Sequence, residues 1–173
     1  MRDKLMASIV LYGFIDAQEK DIWDWYQYSL RLNEGLGYAS THLGIIGNSF
    51  KSGKLTTTKR TEAKLKKALE NGESIETVSI YSLPEGFTQA AFDFNTFFSM
   101  NRSLNQFIIV SVSSVDFSKF DKRDMIRDLG RFITCRKVEV FELSILESPL
   151  IYASKINQES DFKSLKKIDK YDL

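Results

Sequence analysis

An α+β fold is what this sequence predicts: a mostly antiparallel sheet, with mixed pairing left open, backed by about three helices in the order β-α-β-α-β-β-β-α-β. Three observations lead there. Short apolar runs rich in β-branched and aromatic residues recur at 6–14, 39–46, 75–83, 107–112 and 138–146. Stretches with helical period fall between them, at 16–35, 59–71 and 121–136. Three strand-like segments also follow one another between the second and third helical stretches, which suits antiparallel pairing. The 173 residues are enough for one domain with a full core, expected over 1–155, followed by a polar tail at 156–173.

Met6–Phe14 (MASIVLYGF) is a short apolar run preceded by charges and lacking a small-residue cleavage site, so it is read as a buried strand rather than a leader. Asp16 and Glu19 have capping-box spacing and predict a helix start. Ile22, Trp25, Tyr26, Ser29 and Leu30 then share one face of that helix, with Asp24, Gln27 and Arg31 opposite and an end at Gly35 or Gly37. Ala39–Ile46 is the second strand, and 47–58 a polar connection. A helix over Lys59–Asn71 opens on a threonine cap, and its thin stripe of Leu65, Ala68 and Leu69 sets it against the sheet edge. Ile75–Leu83 alternates as a strand, and Pro84-Glu85-Gly86 turns the chain. Ala90–Met100 fits a strand. Because Phe97 and Phe98 face opposite sides of such a strand, either both faces are buried or one ring joins a recognition surface. Phe107–Val112 is a strand, Asp121–Arg136 a helix on Met125, Ile126, Leu129, Phe132 and Ile133, and Val138–Leu146 the last strand. From Lys155 onward at most a short helix, or disorder, is expected.

Composition excludes several classes of function. With 24 basic and 23 acidic residues the net charge is +1, which argues against nucleic acid or an anionic membrane as a partner drawn by global charge. No apolar run approaches the ~20 residues that a helix needs to cross a bilayer. One Cys and one His cannot make a disulfide framework or a Cys/His zinc site, and no metal or cofactor is expected. Gly47-Asn-Ser-Phe-Lys-Ser-Gly53-Lys54 follows a strand, but it has one residue too many between its glycines for a P-loop, and Leu55 stands where a hydroxyl should bind magnesium. His42 and Cys135 are the best candidates for a nucleophile and base in a small enzyme. Asp121, Asp124 and Asp128 share a helix face, but Arg127 and Arg131 beside them suggest ordinary ion pairs rather than a metal site. Segment 51–67 sets seven cations against Glu62 alone, which is read first as a solvated helix face. Its alternatives are an electrostatic handle for an acidic partner and a nucleic-acid-binding module.

The opening strand–helix–strand (MASIVLYGF, then DIWDWYQYSLRL), the Thr-Lys-Arg helix leading to VSIYSLPEGF, the AAFDF segment and the closing ESPLIYA at Glu147–Ala153 together cover most of residues 5–155. In these features the chain resembles immunity proteins of bacterial polymorphic-toxin and contact-dependent growth inhibition systems. That resemblance implies a cytoplasmic, non-catalytic α+β domain partnered with a cognate protein toxin domain. It transfers no site residue by residue. Many immunity proteins against nucleases are acidic, so the neutral charge of this chain speaks against a nuclease target. Aromatic residues flanked by acids resemble an interface core with a polar rim, which marks Trp23, Asp24, Tyr28, Glu85, Phe92 and Asp93 as partner-binding candidates.

Overall fold

The computed structural model describes residues 3–16, 18–50 and 54–172. Among these, the strands β1 (Leu5–Phe14), β2 (His42–Gly47), β3 (Leu55–Thr57), β4 (Ile75–Ser82), β5 (Thr96–Asn101), β6 (Phe107–Ser113), β7 (Thr134–Ser144) and β8 (Lys166–Asp172) form one sheet in the order β3-β2-β4-β5-β6-β1-β7-β8. Every neighbouring pair is antiparallel, so the α+β expectation holds and no mixed pairing is used. The helices are α1 (Glu19–Gly35), α2 (Thr58–Glu70), the short α3 (Ser114–Phe117), α4 (Lys122–Leu129) and α5 (Pro149–Ser154).

Strand β1 explains why the sheet needs cover on both sides. Its residues 6–11 are all buried: Ile9 and Leu11 face one way, Met6 and Val10 the other. On the first face α1, α2 and α4 bring Ile22, Trp25, Tyr26, Leu65, Leu69, Met125 and Leu129 onto Leu43, Ile80, Phe98, Val110 and Val140. On the second face α5 and the 3-10 turns at 90–92, 145–147 and 159–161 surround Phe94, Phe97, Phe107, Phe141, Tyr152 and Phe162. Phe97 and Phe98 therefore enter different cores, and the two-faced buried strand is the correct reading of that segment. Small hydroxyls that share the second face satisfy one another across strands. Ser8 donates to Ser111 at 3.0 Å, and Ser79 and Ser99 are 2.9 Å apart.

Several boundaries differ from expectation. Asp16 does not cap α1: the helix begins at Glu19 with Gln18 as N-cap and no side-chain cap, too far along for the Asp16 carboxylate to serve it. Its other end conforms, with Gly37 left-handed at φ 87°. Thr57 precedes α2 without a side-chain cap bond. The strand expected over 90–100 is shortened to β5, and Phe92 lies instead in a 3-10 turn. The helix expected over 121–136 is half that length. It is capped by Asp121, whose carboxylate accepts from the Asp124 amide at 3.1 Å, and it ends at Gly130. Thr134 and Cys135 belong to β7 because they pair with Phe14 and Gly13 at the end of β1, with Arg136 left over as the extra residue of a bulge between Tyr12 and Gly13. There the two backbones approach so closely that a Cβ on Gly13 would overlap the Thr134 carbonyl oxygen. The tail is also more ordered than expected, since β8 pairs with β7 along the sheet edge.

Candidate partner-binding surface

Helix α2 lies over the β2–β3 end of the sheet. Thr61, Leu65, Ala68 and Leu69 point into the core, and the opposite face exposes Lys59, Arg60, Lys64, Lys66 and Lys67. Two of these cations, Lys59 and Arg60, stand in the first turn, where no acid offsets the positive end of the helix dipole. The only acid inside the segment, Glu62, accepts a 2.7 Å hydrogen bond from the Tyr26 hydroxyl. Burial, with the Glu62 carboxylate beside it, holds that phenol protonated far above its ordinary range.

Ion pairing is distributed unevenly over the molecule. Among the described residues, every pair within 4.0 Å involves residues from 116 onward, on α3, α4, β7, β8 and the segment after α5. Lys54, Lys59, Arg60, Lys64, Lys66 and Lys67 take part in none of them. The solvated helix face read from the sequence is thus exposed as expected, and its cations form no ion pair within 4.0 Å among the described residues, although Glu62 and Glu70 share the helix and Lys64 acts on Glu73 through its charge. Lys51 lies outside the described residues, as does part of the loop that was compared with a P-loop.

A groove runs along each flank of α2. The first, about 280 Å³, lies between Ile45 and Phe50 on one side and Lys54, Arg60 and Lys64 on the other. The Lys64 ammonium stands 4.8 Å from the Phe50 ring centre. The loop carrying Phe50 is fastened by Glu73, whose carboxylate accepts from the Ser49 amide at 2.5 Å and the Ser49 hydroxyl at 2.7 Å. Those bonds hold the Glu73 pKa below its ordinary value. The second groove, about 220 Å³, lies between α1 and α2 and is lined by Glu19, Lys20, Trp23, Lys66, Leu69 and Glu70. Trp23 stacks flat on Tyr26, with centroids 5.0 Å apart and planes at 10°, while Lys66 covers the ring at 5.8 Å.

The structure does not gather the six sequence candidates into one patch. Trp23 and Asp24 sit together on α1, Trp23 half-buried and Asp24 exposed. Tyr28 turns toward α4, where its hydroxyl donates to Asp128 at 3.3 Å and its ring meets Phe132 at 6.2 Å. Burial and Asp128 push this phenol up to about 12. Glu85 is exposed in the turn after β4. Phe92 and Asp93 lie against the second face of the sheet, where Ala90 and Phe94 on either side of them join the other core. What the sequence reading kept apart was Trp23 and the basic segment, which the fold makes neighbours.

The other constellations stay dispersed. His42 on β2 and Cys135 on β7 are five strands apart, about 24 Å at the usual sheet spacing, so they form no dyad. His42 contacts the Thr41 hydroxyl at 2.9 Å and meets the Phe87 ring edge-on at 5.2 Å. The Cys135 thiol donates to the Lys137 carbonyl at 3.4 Å, and burial pushes its pKa up, the reverse of what a nucleophile needs. Asp121 caps its helix, and Asp124 and Asp128 pair with Arg127 at 3.1 and 3.7 Å. No group of three or more metal-ligating side chains occurs among the described residues. No described helix is long and apolar enough to cross a membrane.

No protein-family model matches the sequence, and no curated protein matches it. Among solved structures, the fold is similar to that of the Pseudomonas aeruginosa T6SS protein PA0821, with a TM-score of 0.56 and 18% identity. The match covers 85% of this chain and 42% of that one, so this chain spans less than half of that protein. At such identity the likeness concerns the fold.

Proposed function

We propose that this chain is a non-catalytic immunity protein of a bacterial toxin system, acting in the cytoplasm by binding a cognate toxin domain and occluding its active or interaction surface. The observation that carries this reading is the α2 surface. Six cations that form no ion pair within 4.0 Å among the described residues stand between two grooves, each edged by a half-buried aromatic ring. By contrast, Lys137 and Lys166 on β7 and β8 pair with Glu139 and Glu142. The fold likeness to a T6SS protein agrees with the resemblance of the sequence to toxin-system immunity proteins. In this reading Trp23 and Arg60, residue types enriched among binding hot spots, are the anchors, and the remaining lysines set the rate and choice of association.

Co-expression with the product of the upstream reading frame, expected to carry a toxin domain, tests the proposal. Restored growth together with a complex that survives purification is the expected outcome. A toxin that still kills, with no complex recovered, overturns it.

A further inference from the structure

Resting on the immunity reading, we propose that the cognate toxin docks through an acidic segment: clustered carboxylates sit in the groove formed by Phe50, Lys54, Arg60 and Lys64, and an apolar side chain a few residues away lies against Trp23. Charge complementarity selects the acidic end. Three cations converge on one groove of about 280 Å³ with no carboxylate within 4.0 Å of them among the described residues, in a chain whose overall charge is only +1. The second groove takes the apolar residue because Trp23 and Leu69 form its wall.

The spacing follows from helix geometry. Arg60 and Lys66 are six residues apart, ~9 Å along the axis, and the grooves lie on opposite flanks of a helix ~10 Å across. The diagonal, roughly 13 Å, corresponds to about four residues of extended chain. The partner segment therefore presents its carboxylates about four positions from its apolar residue.

A polyanion such as nucleic acid fits this surface less well. Base stacking needs an open ring face, whereas the Lys64 ammonium stands over the Phe50 ring in the basic groove. Glu19, Glu62, Glu70 and Glu73 also border α2 and would interrupt a continuous phosphate track.

The test uses the full chain and two synthetic peptides. One carries Asp-Glu-Asp about four positions before a Leu, the other Asn-Gln-Asn in its place. Amide shifts in ¹⁵N spectra should move at 54–67 and at Trp23 with the acidic peptide only. Its affinity should fall about tenfold between roughly 50 and 300 mM salt, and about tenfold in R60E/K64E, whose two side chains are exposed. Equal binding of both peptides, or no shift at millimolar acidic peptide, overturns the proposal. So does a duplex oligonucleotide that binds the same residues more tightly. The toxin assay separates the two levels of inference. If R60E/K64E still protects cells as wild type does, the docking site is wrong and the immunity reading stands; if wild type does not protect, that reading itself falls.

Discussion

Glu139 is 4% exposed and stands between two ammoniums, Lys137 and Lys155, each 2.8 Å away. Lys155 also lies 3.7 Å from the centre of the Tyr152 ring, and Tyr12 donates to the Ala153 carbonyl at 2.8 Å, so the cluster fastens α5 to the sheet. Burial alone would raise the Glu139 pKa, but the two lysines outweigh it and hold the carboxyl below its ordinary 4.5. A carboxylate whose pKa is depressed on folding stabilises the protein above its unfolded pKa, and that contribution is lost as the pH falls through the folded value. Glu139→Gln should cost about 2 kcal/mol at neutral pH, less than a fully buried pair because both lysines are partly solvated. Urea midpoints should stay apart from neutral pH down to 4.5 and converge for wild type and variant only as the pH falls further, through the depressed folded pKa. Parallel curves would show that the charge of Glu139 does not stabilise the fold. At Gly13 the constraint is steric. Gly13→Ala must push β1 away from Thr134, with an expected loss of roughly 2–3 kcal/mol read as a lowered melting temperature. An unchanged melt would mean that the bulge can open without cost.

At the scale of elements, β8 tests what a sheet edge is for. Its sequence, KKIDKYD, has no apolar alternation, yet it pairs with β7 over six residue pairs and covers the flank of a strand that carries Val138, Val140, Phe141 and Leu143. Charged residues on an edge strand discourage pairing with other chains. A chain ending after Leu165 should therefore melt at a lower temperature and self-associate through the uncovered β7, as judged by light scattering on a sizing column. A truncated chain that stays monomeric with an unaltered melt would count against this role. The same strand shows why part of the fold was illegible in the sequence. β1, β4 and β6 announce themselves because apolar runs buried on both faces carry a local signal. β8 and the three-residue β3 are held at edges by their neighbours and carry almost none. Phe132 and Ile133 extend the helical period of α4 and are indeed buried, but from a turn. Cys135, two positions on, is claimed by Gly13, more than a hundred residues earlier in sequence. The site was divided in the same way. Trp23 and the basic segment could each be singled out by residue type, but their meeting depends on how α1 and α2 pack, whereas Phe92 and Asp93 shared the composition of an interface and fell on the opposite face.

For the whole molecule, close ion pairs gather at one end of the sheet among the described residues. Around β7 and β8, Lys122 pairs with Asp169, Lys166 with Glu142, Lys167 with Glu159, and Glu139 joins two lysines. Around β2, β3 and α2 no such pairs occur among the described residues. Since the net charge is only +1, the chain as a whole exerts little long-range attraction, and the local excess acts as an orienting dipole. Such a field raises the rate of encounter and is screened beyond a Debye length of about 8 Å at physiological salt, whereas buried anchors govern the lifetime of a complex. The two contributions should separate in association kinetics with the cognate toxin domain. Lys59→Glu combined with Lys67→Glu should slow association about tenfold at low salt, change dissociation little, and lose its effect near 0.5 M salt. Trp23→Ala should instead speed dissociation about tenfold or more, at every salt concentration, and leave association nearly unaltered. If both variants act on the same rate constant, the lysines and the tryptophan are not separate steering and anchoring parts, and the charge asymmetry of the sheet has another cause.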